Sequence, residues 1–155
     1  MAMTTNIQDR LVELNIEIPK PVVPLGSYTP AVQSGNLVYV SGQLPMQDGK
    51  LIYKGHLGED ISIEQGYEAA RLCAINAISA VTTVEGDLDK IKRIVKLNGY
   101  VMSSPDFYDQ PKVINGASEL LFDVFGDIGI HSRAAVGVSN LPLGSCVELD
   151  LIVEV

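Results

Sequence analysis

The chain has 155 residues, a length that suits one domain and excludes two full-sized ones. Hydrophobic residues make up 46% of it and charged residues 19%, a composition typical of globular proteins and unlike that of disordered chains. The formal net charge of −8 disfavours nucleic-acid binding, because an acidic surface repels phosphate backbones. We therefore expect a globular domain with no nucleic-acid partner.

The sequence also carries signals about the compartment. No apolar run approaches the length that spans a bilayer, and the first ten residues lack the apolar core of a secretory signal. The two cysteines, Cys73 and Cys146, fit neither a disulfide framework nor the spacing of a metal site. We interpret them as buried thiols in a reducing compartment, and we predict a cytoplasmic protein without a membrane partner.

Apolar residues at helical spacing predict three helices, the first of them short, over residues 4–14. A long helix begins at the capping box Ser62–Gln65 and ends near residue 86, and its apolar face is rich in alanine. Another amphipathic helix follows Pro111, which suits a first helical turn, and ends at Gly126.

Period-two and β-branched patterns predict the strands. These lie within residues 31–40, where a turn separates two short strands, and at 51–53, 91–102, 132–138 and 145–155. Two long helices on one face of a mixed sheet form an α+β sandwich. The chain offers no element to cover the other face, so we expect it to form an oligomer. We predict a single domain over 1–155, with 1–21 as an N-terminal helical extension.

Arg133 is the unusual residue among the candidate functional positions. It begins a strand whose other side chains are small and apolar, which leaves room for its fork to bind a carboxylate through two hydrogen bonds. The alternative is an ordinary arginine at a strand end, paired with an acid. A hairpin centred on Leu141 would bring Glu148 within a residue or two of Arg133. The pair could then be a structural ion pair, or a carboxylate clamp beside a water-activating base.

The two histidines, His56 and His131, belong to no recognisable catalytic or metal-binding motif. We interpret His56 as a solvated loop residue. His131 lies two residues before Arg133, so its proximity to a site remains open. No phosphate-binding loop, dinucleotide fingerprint, zinc motif or nucleophile elbow is present.

Three segments together resemble the RidA/YjgF family, also called the endoribonuclease L-PSP or translation-inhibitor family. They are Gly-Ser-Tyr-Thr-Pro-Ala at 26–31, Leu-Val-Tyr-Val-Ser-Gly-Gln-Leu-Pro at 37–45, and Arg133 followed by Leu141-Pro142 and Glu148. The resemblance covers roughly residues 22–155. It implies a chorismate-mutase-like fold and a homotrimer with sites between subunits, which would occupy the uncovered sheet face. It also implies hydrolysis of 2-imino acids to 2-keto acids and ammonia, without a metal or an organic cofactor.

The same resemblance implies roles for individual residues. Arg133 would bind the substrate carboxylate, and Glu148 would orient or activate the attacking water. The implied substrate-binding positions are Tyr28, contributed across the interface, with Ser41, Gly42, Asn115 and Arg133. Ala135 stands where many deaminases have a cysteine, and the family's Gly-Pro-Tyr is Gly-Ser-Tyr here. Two alternatives to imine deamination therefore stay open: a trimeric binding protein for small carboxylates, and, less favoured because of the acidic charge, an endoribonuclease.

Overall fold

The computed structural model describes residues 5–22, 24 and 26–155. Within them the chain forms three α-helices and seven strands. The helices are α1 (Ile7–Glu13), α2 (Ile63–Val81) and α3 (Gln110–Phe125). The strands are β1 (Ala31–Ser34), β2 (Leu37–Gln43), β3 (Met46–Gln47), β4 (Lys50–Leu51), β5 (Arg93–Met102), β6 (Ser132–Val138) and β7 (Val147–Glu154).

The three predicted helices are confirmed, with differences in length. α1 covers Ile7–Glu13 within the predicted 4–14, of which residue 4 lies outside the described residues. The Ser62 hydroxyl accepts from the Gln65 backbone N–H while the Gln65 side chain accepts from the Ser62 N–H, so the capping box is present. α2 ends at Val81 rather than near residue 86. There the Thr82 and Thr83 hydroxyls donate to the Ser79 and Ala80 carbonyl oxygens at 2.6 and 2.7 Å. In a longer helix, backbone N–H groups further along the chain would bond to these carbonyls.

The strand predicted at 51–53 is shorter than expected and pairs locally. β4 forms a two-residue ladder with β3, in which Met46 lies opposite Leu51. Asp48 and Gly49 connect the two strands with φ angles of 51° and 77°, the left-handed conformation that a tight hairpin turn requires. This small hairpin is separate from the main sheet.

The main sheet has the order β1-β2-β7-β5-β6, with β5 and β6 parallel and the other pairs antiparallel. The expected hairpin between the last two strands is therefore wrong, because β5 lies between β6 and β7. Burial explains this order. β7 alternates fully between buried and half-buried residues, as a central strand does, whereas β6 is largely exposed and lies at the edge.

Both long helices pack on one face of this sheet. Alternate β7 side chains, including Leu149 and Leu151, are buried beneath them. The two helices approach each other so closely that a Cβ on Gly116 would lie 2.0 Å from the Tyr67 carbonyl oxygen. The described residues place no helix on the other face, so the predicted α+β sandwich is confirmed, and trimerisation stays a prediction.

Two further expectations concern burial and hydropathy. Cys73 and Cys146 are both buried free thiols, and burial raises the pKa of each, to about 11 for Cys146. In the described part of the chain, no helix combines the length and the hydropathy that a bilayer crossing needs.

Candidate functional site

The guanidinium of Arg133 is held along one edge. Arg133 is the second residue of β6, and its side chain extends towards α3. There Nη1 donates to Asn115 Oδ1 at 2.8 Å and to Ser118 Oγ at 3.1 Å. Asn115 and Ser118 are three residues apart on one helix, so both face the strand. Asn115 and Arg133, two of the predicted substrate-binding residues, are therefore neighbours, and their roles stay a prediction.

These two bonds determine which part of the guanidinium stays free. A guanidinium has five N–H donors, and the two on Nη1 are used by α3. The Nε–H and the Nη2 group have no partner among the described residues. One edge of the planar fork therefore remains open for a carboxylate, which would accept two parallel hydrogen bonds.

No acid neutralises Arg133 within the described part of the chain: neither ion pair found there includes it. Glu119, which lines the same pocket as Arg133, accepts a hydrogen bond from the Tyr67 hydroxyl instead. That bond raises the pKa of Tyr67 to about 12. The positive charge of Arg133 is thus left for a ligand.

His131 is hydrogen-bonded to Ser118, one of the two residues that hold the Arg133 guanidinium. His131 Nε2 lies 2.9 Å from Ser118 Oγ, and His131 Nδ1 lies 2.7 Å from the Gly129 carbonyl oxygen. Burial lowers the pKa of His131 below its ordinary value, and the positive charge of Arg133 lowers it further, against the opposing effect of the Gly129 bond. The pocket at these residues has a volume of about 500 Å³, and Phe122 and Ile130 form its apolar wall.

We call Asn115, Ser118, His131 and Arg133 the arginine group. Sequence analysis identified Arg133 and Asn115, and left His131 open. It missed Ser118. Its position one turn after Asn115 puts it on the same helix face, but this becomes informative only once that face is known to cover β6.

Glu148 lies elsewhere, against the backbone of β2. A Cβ on Gly42 would come within 2.4 Å of Glu148 Oε1, so only glycine allows the carboxylate to rest there. The β2–β7 register shifts between Val40 and Gln43, which makes Ser41 and Gly42 a bulge opposite one β7 residue. The bulge is what brings the backbone up to the carboxylate.

The same bulge holds the segment that follows Tyr28, through Ser41. Ser41 Oγ donates to the Thr29 carbonyl oxygen at 2.6 Å, and Ser41 N donates to the Pro30 carbonyl oxygen at 2.9 Å, which fixes the segment after Tyr28. Tyr28, Ser41 and Gly42 line one cavity of about 740 Å³. We call Tyr28, Ser41, Gly42 and Glu148 the glutamate group.

The carboxylate of Glu148 is half-buried, and its surroundings disfavour its charged form. Burial raises its pKa above the ordinary value, and the negative charge of Asp150, two residues along the same strand face, raises it further. Asp150 itself accepts hydrogen bonds from Asn98 at 2.9 Å and from Tyr100 at 3.1 Å. A carboxylate with a raised pKa is better suited to accept a proton near neutral pH.

The two groups do not meet within one chain. Arg133 lies opposite Leu97, whose buried side chain is on the helix-covered face, whereas Glu148 lies opposite Tyr100 on the other face. The expected adjacency of Arg133 and Glu148 is therefore wrong, and so is the alternative of an ion pair between them. The strand order is the reason, since β5 separates the two strands that carry them.

One cluster among the described residues has metal-ligand chemistry. His56, Glu59 and Asp60 have potential ligand atoms within 4.8 Å of one another. His56 Nε2 is already 3.0 Å from the Ser139 carbonyl oxygen, and Asp60 accepts from the His56 backbone N–H at 3.2 Å. The cluster shares no residue with either group.

The sequence matches a known protein family and similar curated proteins over most of its length. The family described as "YjgF/chorismate mutase-like, putative endoribonuclease" matches residues 8–155. Protein TCP17 of Trypanosoma cruzi is 46% identical over 93% of this chain and 91% of its own length. A 2-iminobutanoate/2-iminopropanoate deaminase of Dermatophagoides farinae is 30% identical over 90% of this chain and 94% of its own length.

Solved structures are similar over almost the whole fold. A "putative endoribonuclease" from Shewanella oneidensis is 37% identical, with a TM-score of 0.93, and covers 97% of this chain and 99% of its own. A protein of unknown function from Agrobacterium tumefaciens is 47% identical, with a TM-score of 0.88, over 96% of this chain and 91% of its own.

Proposed function

The chain belongs to the YjgF/chorismate mutase-like (RidA/YjgF) family, and on this premise we propose that it hydrolyses small 2-imino acids to 2-keto acids and ammonia. The observation that carries the proposal is the open edge of Arg133. Its Nη1 is fixed by Asn115 and Ser118, while Nε and Nη2 are free to bind a carboxylate. The similarity to a 2-iminobutanoate/2-iminopropanoate deaminase supports the same substrate class.

We place the complete site between two copies of the chain. The arginine group of one copy would bind the substrate carboxylate, and the glutamate group of a neighbour would supply the water-activating base. Two observations support this arrangement. Arg133 and Glu148 lie on opposite faces of one sheet, and the face without helices exposes Val32, Tyr39 and Val136, apolar side chains that a homotrimer interface would cover.

Hydrolysis of the imine requires the protein to hold the substrate and a water molecule in position and to supply one general base. Glu148 accepts a proton from a water molecule as the water oxygen bonds to C2 of the imine, and the imine nitrogen takes up a proton. In the resulting carbinolamine, the protonated Glu148 gives its proton to the amino nitrogen, which leaves as ammonia when the C–N bond breaks. The C2 hydroxyl loses its proton to Glu148 and becomes the keto group. Glu148 then releases that proton to solvent, which balances the proton first taken up by the imine nitrogen. Positioning and a general base of this kind accelerate such a step by about 10²–10⁴-fold for the base alone.

The direct test generates an imino acid in place with an amino-acid oxidase and follows its conversion with and without the protein. We expect the wild type to accelerate ammonia release. Glu148→Gln should lose most of this rate and keep 2-keto acid binding. Equal rates with and without the protein would refute the deaminase proposal.

Mixed oligomers test the shared site. Arg133→Ala and Glu148→Gln chains are each expected to be inactive alone. Refolded together in equal amounts, about a quarter of the sites in a cyclic trimer would combine an intact Arg133 from one copy with an intact Glu148 from its neighbour. Recovery of about a quarter of the wild-type rate supports the arrangement, and no recovery in a proven mixed oligomer contradicts it.

A second candidate function is carboxylate binding without turnover. The specific observation favouring it is that the arginine group forms a complete clamp on one chain, while Glu148, the proposed base, lies on the other face of the sheet. Wild-type protein that binds pyruvate through Arg133 but leaves the imine half-life unchanged would establish this alternative.

A further inference from the structure

The hydrogen bonds around Ser118 have only one consistent direction when His131 is neutral. The Gly129 carbonyl oxygen can only accept, so His131 Nδ1, 2.7 Å away, carries the proton. Nε2 of a neutral imidazole is then an acceptor, and the Ser118 hydroxyl 2.9 Å away must donate to it. The Ser118 lone pairs are left to accept from Arg133 Nη1 at 3.1 Å.

We propose that His131 is a positioning residue for Arg133, acting through Ser118, and that it helps to hold the carboxylate-binding edge of the guanidinium in place. This inference rests on the proposed function of Arg133 as a carboxylate ligand. The hydrogen bonds run in a chain from the Gly129 carbonyl through His131 and Ser118 to Arg133, and each group in the chain gives its neighbour a donor or an acceptor.

Charge and burial are consistent with a neutral imidazole at this point. His131 is half-buried beside the guanidinium, and a second cation there would be repelled by Arg133. Glu119 and Asp123 also line the pocket, and neither carboxylate is a hydrogen-bond partner of the imidazole, whose two ring nitrogens lie against Ser118 and Gly129. His131 is therefore bonded to Ser118 and Gly129 rather than to an acid.

The positioning role is separate from the support that Asn115 gives. Asn115 fixes one Nη1 proton and Ser118 the other, so losing Ser118 leaves the guanidinium free to rotate about the remaining bond. A rotated guanidinium keeps its Nε and Nη2 protons side by side but no longer holds that edge in one orientation, so bidentate binding is weakened rather than abolished.

Calorimetric titration with pyruvate tests the proposal. We expect Ser118→Ala and His131→Ala each to weaken binding roughly fivefold, the effect of one lost hydrogen bond. The double variant should lose no more than either single one, because the two residues act in series. His131→Gln should restore most of the affinity, since its amide oxygen can accept from Ser118.

A spectroscopic measurement on the wild type removes dependence on whether the variants fold. With only two histidines in the chain, long-range ¹⁵N spectra at pH 7.5 resolve both, and His56→Gln assigns them. We expect His131 as the neutral form protonated on Nδ1. A proton on Nε2, or an imidazolium, would overturn the proposal.

The outcomes also separate this inference from the proposed function. Unchanged pyruvate affinity in Ser118→Ala and His131→Ala, together with lost binding in Arg133→Ala, refutes the positioning role and leaves the clamp intact. Unchanged affinity in Arg133→Ala refutes the clamp itself, and the positioning role fails with it.

Discussion

Replacing Arg133 by alanine should remove most carboxylate binding and leave the fold intact. The side chain is exposed at the edge strand, and its two hydrogen bonds go to half-buried groups on α3 that water can reach after truncation. We therefore expect a change of less than about 1 kcal/mol in the free energy of unfolding, as for most exposed substitutions.

The magnitude of the binding loss follows from the free edge of the guanidinium. Each hydrogen bond to a charged group contributes about 1.5–3 kcal/mol, and the open edge offers two parallel ones. At ~1.4 kcal/mol per decade, affinity for a 2-keto acid should fall by about 10²-fold or more. Arg133→Lys should restore little, because an ammonium cannot reproduce the planar fork.

Titration of pyruvate or 2-oxobutanoate into each protein measures this loss, with thermal unfolding as the check on folding. Arg93→Ala is the matched control, since Arg93 is also exposed near the start of a strand and its removal changes the net charge equally. Equal affinities for wild type and Arg133→Ala would refute the carboxylate clamp. An equal loss in Arg93→Ala would show that net charge, not the site, governs binding.

Three other perturbations have expected outcomes. Gly42→Ala places a Cβ 2.4 Å from Glu148 Oε1, so the carboxylate must move. We expect imine turnover to fall about tenfold or more, while pyruvate affinity stays within a few-fold of the wild type. A wild-type rate would contradict the role of Glu148 as the base. Ser62→Ala removes the α2 cap and should cost about 1 kcal/mol in denaturant unfolding; an unchanged midpoint would show that the cap contributes nothing. The pKa of Glu148 is raised in the folded state, so folding favours its protonated form. The free energy of unfolding should therefore fall as pH rises from near 4.5 through the folded pKa. Glu148→Gln should flatten this fall, and parallel pH profiles for the variant and the wild type would contradict the prediction.

The helices and most strands were predictable because their signals are local. The capping box at Ser62, the proline at the start of α3 and the alternation along β7 each depend on residues a few positions apart. The order of strands in the sheet was not predictable in this way. The hairpin expected from the short link between β6 and β7 was wrong because partner choice depends on which strand can be buried on both sides, a property of the whole sheet.

The candidate site shows the same division. The resemblance implied Arg133 and Asn115 as substrate-binding residues, and the fold makes them hydrogen-bonded neighbours, a contact that no spacing indicated. Ser118 was missed because one serine on a helix has no distinguishing pattern until the strand beneath it is known. His131 stayed open for a similar reason: its role depends on the Gly129 carbonyl, a backbone group that no side-chain pattern encodes.

The separation of the two groups also bears on how binding and turnover relate in this fold. The clamp depends on contacts between β6 and α3, whereas the glutamate group depends on the β2 bulge and its contact with β7. A substitution at the bulge can move Glu148 without touching any contact of Arg133. Under the proposed function, carboxylate binding can therefore persist where turnover is lost, but turnover cannot persist without the clamp, because the base would then have no substrate positioned before it.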